Sequence, residues 1–224
     1  MAITVRYVDE ALLVLDKPAD LLSVPGRGPD KQDCLSARVQ QQYPDARVVH
    51  RLDMSTSGLM LMARGAQALS VLNRAFAERT VHKRYRALVH GTVDVAPDAW
   101  QTIDLPIMVD WPNRPRRIIS ADGKPSITHW RRINDEPHGR SQYETSQPPL
   151  PVCRLELEPV TGRSHQLRVH LRAIGHPIVG DRLYGNIDDD ACLAAPRLML
   201  HASGIALRHP VSGEALAFTS APDF

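Results

Sequence analysis

Short runs in which apolar residues follow one another or alternate with polar ones dominate the pattern along the chain. Runs of this length, bounded by turn-forming residues, are typical of β-strands. They predict strands at residues 11–15, 46–52, 59–63, 84–89, 126–133 and 153–157. The second and third runs flank a small polar turn at residues 55–58. This part of the sequence therefore predicts two strands joined by a polar loop.

Two segments have the apolar spacing of a helix, with one stripe three to four residues apart. They are residues 65–79, with a stripe of Leu69, Leu72 and Phe76, and residues 164–174, with a stripe of Leu167, Leu171 and Ile174. Ser164 is suited to cap the start of the second helix, and Gly175 and Pro177 suit its end. The long crossover helices of a parallel sheet are too few, so the fold class is α+β with a mostly antiparallel sheet.

Composition narrows the class of protein. The 224 residues are 43% hydrophobic and 23% charged, as expected of a folded globular protein. No run approaches the roughly 18 apolar residues of a membrane-spanning helix, and the first residues lack the pattern of a secretory signal. The three cysteines are widely separated, which favours a reducing cytoplasm and no structural zinc. We expect a single soluble cytoplasmic domain, with an irregular excursion at residues 134–151.

The charge is segregated, although the net charge is only +2. Four of the 27 basic residues are lysines, so 23 are arginines, whose planar group matches phosphate oxygens. A GC-rich genome explains this arginine content equally well. Residues 160–180 contain three arginines, three histidines and no acidic residue. This distribution is consistent with a basic face that attracts a polyanion, whereas solvated patches scattered over the surface are the alternative.

Residues 50–53 combine an arginine and a carboxylate where a predicted strand ends. Strand alternation would place Val49, Arg51 and Asp53 on one face and His50 and Leu52 on the other. Loops at strand ends are frequent positions for reactive groups. By itself, the pattern fits a structural salt bridge followed by a turn-favouring aspartate better than it fits a catalytic site.

Residues 50–59, HRLDMSTSGL, resemble the signature of the RluA family of RNA pseudouridine synthases. Two further segments match in the same order: residues 83–85, KRY, and residues 159–170, PVTGRSHQLRVH. The early element at residues 16–18 with residues 21–26 also fits. Residues 105–107, 110–115 and 221–224 are similar to the RluA branch itself, whose members act on both 23S rRNA and tRNA stem–loops.

Too few residues precede Ala11 for the N-terminal S4 domain of many relatives, so we expect no S4 domain. The resemblance implies the pseudouridine synthase catalytic fold over residues 1–224. It also implies the reaction. Uridine in RNA becomes pseudouridine when the N–C glycosidic bond breaks, the base rotates and a C–C bond forms. The family needs no cofactor and no metal. RNA is the expected partner of this chain, and no protein partner is implied.

The resemblance makes Asp53 the catalytic carboxylate, either as a nucleophile or as the base that initiates elimination. Tyr85 matches the active-site tyrosine, which would stack on uracil and exchange a proton through its hydroxyl; an ordinary core tyrosine is the alternative. Arg168 matches the arginine that pairs with the catalytic aspartate and lowers its pKa. His165, Arg168 and Arg172 would share one face of the predicted helix. A solvated helix face is the alternative for Arg168.

RNA contacts follow from the same resemblance. A stacked base must be extruded before its glycosidic bond is reachable, and Arg51 would fill the gap as a planar wedge. Phosphate contacts are expected from basic residues such as Arg114 and Arg163. The other predicted RNA-binding residues are His50, Thr56, His165 and Gln166. The rival functions are a non-catalytic RNA-binding or chaperone protein, and a synthase of another branch that modifies only ribosomal RNA.

Overall fold

The computed structural model describes residues 3–133, 151–185 and 195–224. The chain forms two compact units, Met1–Lys83 with His201–Pro222 and Arg84–Leu200 with Asp223–Phe224. Except for residue 151, the excursion predicted at residues 134–151 lies outside the described residues. The single domain over residues 1–224 stays a prediction.

The first unit is built around one central strand, β4 (Ser57–Arg64). β1 (Thr4–Val8) pairs antiparallel with β2 (Leu12–Lys17), and β2 pairs antiparallel with one edge of β4. The other edge of β4 pairs antiparallel with β3 (Ala46–Val48) and parallel with β11 (Leu200–Arg208). The sheet of this unit is therefore mixed.

Further elements complete the first unit. β12 (Ala215–Thr219) pairs antiparallel with β11. A 3₁₀ turn covers Pro29–Lys31, and the helices are α1 (Leu35–Gln42) and α2 (Gly65–Ala77). The predicted apolar stripe on α2 is confirmed, since Leu72 is fully buried and Leu69 and Phe76 pack against the same core.

β2 and β4 are buried along almost their whole length, and this explains their apolar runs. Leu12, Leu13, Val14 and Leu15 have no exposed surface. Strands covered on both faces read as continuous apolar runs instead of alternating ones. The strands predicted at residues 11–15 and 59–63 are therefore confirmed.

The chain passes into the second unit within β5 (His82–His90). β10 (Val152–Pro159) pairs with β5, β9 (Ile127–Arg132) pairs with β10, and β6 (Gln101–Asp104) pairs with β9, all antiparallel. The predictions at residues 84–89, 126–133 and 153–157 are thus confirmed as β5, β9 and β10.

A hairpin and a helix accompany the sheet of the second unit. The hairpin consists of β7 (Ile107–Val109) and β8 (Arg117–Ile119), and the helix is α3 (Gln166–Ala173). The stripe predicted on this helix is confirmed, because Leu167 and Leu171 are buried in the core of the unit and Ile174 packs against it. The α+β class with a mostly antiparallel sheet is also confirmed.

Two local predictions are wrong. Ser164 is not the N-cap residue of α3: the residue directly before the helix is His165, whose φ of 58° is left-handed and whose side chain makes no cap bond. Gly175 ends the helix as expected, with φ 85° and its N–H donating to the Arg172 carbonyl. The strand predicted at residues 46–52 ends at Val48, so strand alternation does not govern residues 49–53.

A buried hydrogen-bond chain ties together four strands of the first unit. The Ser220 hydroxyl, just after β12, donates to the Asp16 carboxylate at 2.6 Å, so it accepts from Nε2–H of His201 at 3.2 Å. The other ring nitrogen of His201 then accepts from the Ser57 hydroxyl at 2.9 Å. Asp16 also accepts from the Arg6 guanidinium at 2.7 Å. These bonds fix the first residue of β4.

Gly58 lies where β4 and β11 approach most closely, and we expect it to tolerate no side chain. A Cβ atom there would lie 2.4–2.8 Å from the backbone of Ala202, at a φ of 107°. Overpacking and backbone strain together predict that Gly58→Ala lowers the free energy of unfolding by about 3 kcal/mol. Chemical denaturation measures this loss.

Gly65→Ala is the matched control. Gly65 also has a positive φ, 76°, but a Cβ there meets nothing within 4 Å. We expect this control to cost only about 1 kcal/mol, the strain of the left-handed backbone. Equal costs for the two variants would contradict the close approach of β4 and β11.

Candidate active site

Asp53 lies on a loop between β3 and β4, here called the Asp53 loop (residues 49–56). The loop ends in a turn in which the Thr56 N–H donates to the Asp53 carbonyl at 3.1 Å. Asp53 itself is half-buried, Arg51 is exposed and Thr56 is buried. The loop therefore combines a half-buried carboxylate with an exposed arginine two positions earlier.

Lys17, at the end of β2, bonds the backbone of the Asp53 loop with its side chain. Its side chain is fully buried, and its ammonium donates to the carbonyls of Pro18, Leu21 and Met54 at 2.8, 2.8 and 2.9 Å. A buried ammonium is tolerated only where such acceptors surround it. Met54 follows Asp53 directly, so the lysine fixes the backbone beside the carboxylate.

The positive charge of Lys17 also interacts electrostatically with the Asp53 carboxylate. Burial lowers the pKa of Lys17 to about 8, and the carboxylates of Asp20 and Asp53 partly offset that lowering. The ammonium is thus mostly protonated at neutral pH. Its favourable interaction with Asp53 adds a buried positive charge to the surroundings of the carboxylate.

His50 fastens the other end of the loop. Its Nε2 accepts the N–H of Leu61 in β4 at 2.9 Å, and its ring stacks on Phe76 of α2 with centroids 4.6 Å apart. Burial lowers the pKa of His50 to about 3, with a smaller contribution from the charge of Lys83. The imidazole is neutral, as an acceptor of a backbone N–H must be.

Ser23 supplies the third attachment of the Asp53 loop. Its hydroxyl donates to the Leu52 carbonyl at 2.7 Å and accepts the Leu52 N–H at 3.1 Å. Leu52 is buried beside it. The Ser23 side chain, not a neighbouring strand, thus bonds the backbone of Leu52, beyond the end of β3 at Val48.

Tyr85 and Arg168 belong to the second unit. Tyr85 lies on β5, and its half-buried ring packs against the core of that unit. Arg168 lies on α3 and is only 5% exposed. A solvated helix face, the alternative considered for Arg168, is therefore wrong.

Asp181 holds the Arg168 guanidinium. Nε and one terminal nitrogen of Arg168 donate to the two carboxylate oxygens at 2.7 and 2.6 Å. One of these oxygens also accepts the N–H groups of Leu183 and Tyr184, both at 3.0 Å. A buried ion pair of this kind needs further hydrogen bonds to its polar atoms, and here two backbone N–H groups bond the Asp181 carboxylate.

Tyr184 lies beside the same guanidinium, with its ring centroid 5.0 Å from Cζ of Arg168. Its hydroxyl accepts the Arg117 N–H at 2.8 Å and bonds Nδ1 of His165 at 2.7 Å. Burial raises the pKa of Tyr184, and the hydrogen bond from the Arg117 N–H and the positive charge of Arg168 oppose that rise. Sequence reasoning missed Asp181 and Tyr184, although a buried arginine implies a carboxylate partner.

Gln166 fixes the turn that precedes α3. Its carbonyl oxygen accepts from the Thr161 hydroxyl at 2.7 Å and the Arg163 N–H at 3.1 Å. Its amide nitrogen donates to Ile127 and Thr128 in β9, both at 2.9 Å. Gln166 is buried, so its observed role is to attach this turn to the sheet.

The predicted RNA-binding residues thus fall into two groups. Arg51, Arg114 and Arg163 are exposed. In contrast, the side chains of Thr56 and Gln166 are buried, and those of His50 and His165 bond or stack within the protein. Direct RNA contact by this second group stays a prediction, while the geometry assigns His50, His165 and Gln166 local structural contacts.

The structure describes residues 3–133, 151–185 and 195–224. Within these ranges no three His, Cys, Asp or Glu side chains are arranged to hold a metal ion. No helix there is long and apolar enough to cross a membrane.

Comparison with known proteins identifies the class. The family model for RNA pseudouridylate synthase matches residues 11–173. The human RNA pseudouridylate synthase domain containing 1 has a TM-score of 0.78 and 30% identity, covering 100% of this chain and 84% of that one. The human domain containing 4, at 21% identity and a TM-score of 0.70 over 97% of this chain and 88% of that one, shares the fold.

Curated relatives match this chain over nearly its whole length. A protein of Vibrio vulnificus named dual-specificity RNA pseudouridine synthase RluA is 45% identical over 207 residues, 92% of this chain and 78% of the relative. The protein of the same name in Escherichia coli K12 is 40% identical over 223 residues, 99% and 94% of the two chains. The chain belongs to the RNA pseudouridylate synthase family, which confirms the resemblance seen in residues 50–59.

The neutral state of the half-buried His50 predicts a pH dependence of stability. Its pKa is about 3 in the folded protein and 6.5 ordinarily, so between these values the unfolded chain binds a proton that the folded one does not. The free energy of unfolding therefore falls as the pH falls through this range, by up to about 1.4 kcal/mol per pH unit. We expect His50→Gln to show a correspondingly smaller slope in denaturation measured across this range.

His82→Gln, which removes an exposed histidine of β5, is the control and should keep the slope of the wild type. An unchanged slope in His50→Gln would show that His50 does not remain neutral in the folded protein.

Proposed function

We propose that the protein converts uridine to pseudouridine in stem–loops of both 23S rRNA and tRNA, with Asp53 as the catalytic carboxylate. The observation that carries this proposal is the similarity, over nearly the whole chain, to relatives named dual-specificity RNA pseudouridine synthase RluA. The matching string at residues 50–59 contains Asp53. The widely separated cysteines favour a cytoplasmic location.

The geometry of the Asp53 loop supports a catalytic role. The reaction breaks the bond between N1 of uracil and C1′ of ribose and forms a bond between C5 and C1′; a proton leaves C5 and one is taken up at N1. A carboxylate can attack C1′ or remove a proton from the sugar. Both routes require the carboxylate in a fixed position, which the bonds of Lys17, His50 and Ser23 provide.

Tyr85 and Arg168 have the remaining catalytic roles in this proposal. Tyr85 stacks on the detached uracil and exchanges a proton through its hydroxyl. Arg168 supplies the guanidinium that the family pairs with the catalytic aspartate. Its two hydrogen bonds to Asp181 limit the orientations that the guanidinium can adopt, so its positive charge has one fixed direction.

The exposed arginines act on the RNA. Arg51 replaces the extruded nucleotide in the stack, at a position two residues before the carboxylate that acts on the sugar. Arg114 and Arg163 contact the backbone of the stem, and these contacts make binding sensitive to salt without selecting a sequence.

Tritium release from RNA labelled at C5 of uridine tests this function. The substrates are a 23S rRNA stem–loop and a tRNA anticodon stem–loop. We expect the wild type to release tritium from both, and Asp53→Asn to lose activity by a factor on the order of 10³ or more, because it removes the reacting carboxylate. Asp20→Asn is the matched control: Asp20 also interacts with Lys17 but is exposed, and we expect it to keep activity.

Three results would contradict the proposal. Full activity of Asp53→Asn would refute the role of the carboxylate. Release from the rRNA substrate alone would indicate a synthase of another branch. Growth rescue of a synthase-deficient strain by Asp53→Asn, without pseudouridine formation, would favour the RNA-binding or chaperone function.

A further inference from the structure

An exposed tryptophan marks the tip of the β7–β8 hairpin. Trp111 is 64% exposed, far more than a large apolar side chain usually is in a folded protein. The guanidinium of Arg114 lies over its ring, with Cζ 3.6 Å from the ring centroid. One face of the indole is thus covered by a cation, while most of the residue's surface is exposed to solvent.

The tip of the hairpin is held by its own polar groups. The Asp110 N–H donates to the Arg116 carbonyl at 3.1 Å, and the Arg116 N–H donates to the Asn113 carbonyl at 2.9 Å. The Asn113 amide donates to both oxygens of the Asp110 carboxylate at 3.1 and 3.0 Å. Trp111 therefore projects from an ordered turn.

The base of the hairpin is joined to the helix that carries Arg168. Ile107 packs with Val169 of α3 and with Tyr184, and Tyr184 also accepts the Arg117 N–H. The same tyrosine lies beside the Arg168 guanidinium. Within the second unit, Trp111 thus has a fixed position relative to Arg168.

The charge of the hairpin selects the kind of ligand. Arg114, Arg116 and Arg117 follow the tip, whereas the Asp110 carboxylate is already bonded by Asn113. A flat aromatic ring covered by one guanidinium, in a hairpin with two further arginines, suits a ligand with planar faces and negative charge. An unpaired nucleotide has both, and stacking on an aromatic side chain does not depend on which base is present.

We propose that Trp111, backed by Arg114, is a stacking platform for one unpaired base of the RNA. This inference rests on the proposed function, since it takes RNA as the substrate. It adds a binding contact that distinguishes single-stranded loops from paired stems, because a base within a duplex has no face available for the indole.

The experiment compares Trp111→Ala and Trp111→Phe with the wild type on an RNA stem–loop and on a fully paired RNA duplex. Since stacking contributes to binding and not to the reacting atoms, we expect Trp111→Ala to weaken stem–loop binding and raise KM by about tenfold with little change in kcat. Trp111→Phe keeps a ring and should lose less. Duplex binding should stay unchanged, and the quenching of tryptophan fluorescence by the stem–loop should diminish in Trp111→Phe.

Trp100→Ala is the matched control. Trp100 is 40% exposed and also lies beside an arginine, Arg131, at 4.9 Å. That arginine, however, is paired with Glu156 at 2.6 Å and Asp98 at 3.5 Å, so this second pair lacks the excess positive charge of the hairpin. We expect Trp100→Ala to bind the stem–loop like the wild type.

Unchanged stem–loop affinity in Trp111→Ala would overturn the proposal. That result would favour a protein as the binding partner of the Trp111 side chain. Equal weakening of stem–loop and duplex binding would also overturn it, because that result indicates a phosphate contact. Binding is measured without catalysis, so weakened stem–loop binding would support the platform even if the wild type formed no pseudouridine.

Discussion

The buried ammonium of Lys17 is the constraint on which the candidate site depends. A charge without contact to water must be surrounded by acceptors, and the carbonyls of Pro18, Leu21 and Met54 are those acceptors. Because the third of them follows Asp53, satisfying the lysine determines the course of the Asp53 loop. Folding and the position of the carboxylate are therefore linked through one set of hydrogen bonds.

The second unit also contains a buried positive charge, which is stabilised by an ion pair. Arg168 is buried on α3 and donates to Asp181, whose carboxylate also accepts two backbone N–H groups. Burying both charges costs solvation free energy, so such a pair is better explained by the orientation it imposes than by stability. A guanidinium with one fixed direction is what a preorganised electrostatic contact to a reacting group requires.

The sequence predicted the parts of the fold that depend on local spacing. The apolar runs of β2 and β4 and the apolar stripe of α2 could be predicted, because the spacing of apolar residues reflects which faces of an element are buried. The course of the chain at Leu52 could not be predicted, because Ser23, 29 positions earlier, makes the backbone hydrogen bonds of Leu52 that a strand would have made. Asp181, 13 positions after Arg168, is likewise fixed by tertiary contact. The resemblance in residues 50–59 assigned Asp53, which spacing alone did not.

Hydrogen exchange of the Asp53 loop in Lys17→Met tests most directly whether the buried ammonium holds the loop. The informative amides are those of Leu52 and Thr56, which are bonded within the protein; amides of β4 report whether the variant remains folded. We predict that exchange at Leu52 and Thr56 accelerates by about tenfold or more while β4 stays protected, because unbonded carbonyls favour local opening. Unchanged exchange at both amides would contradict the account.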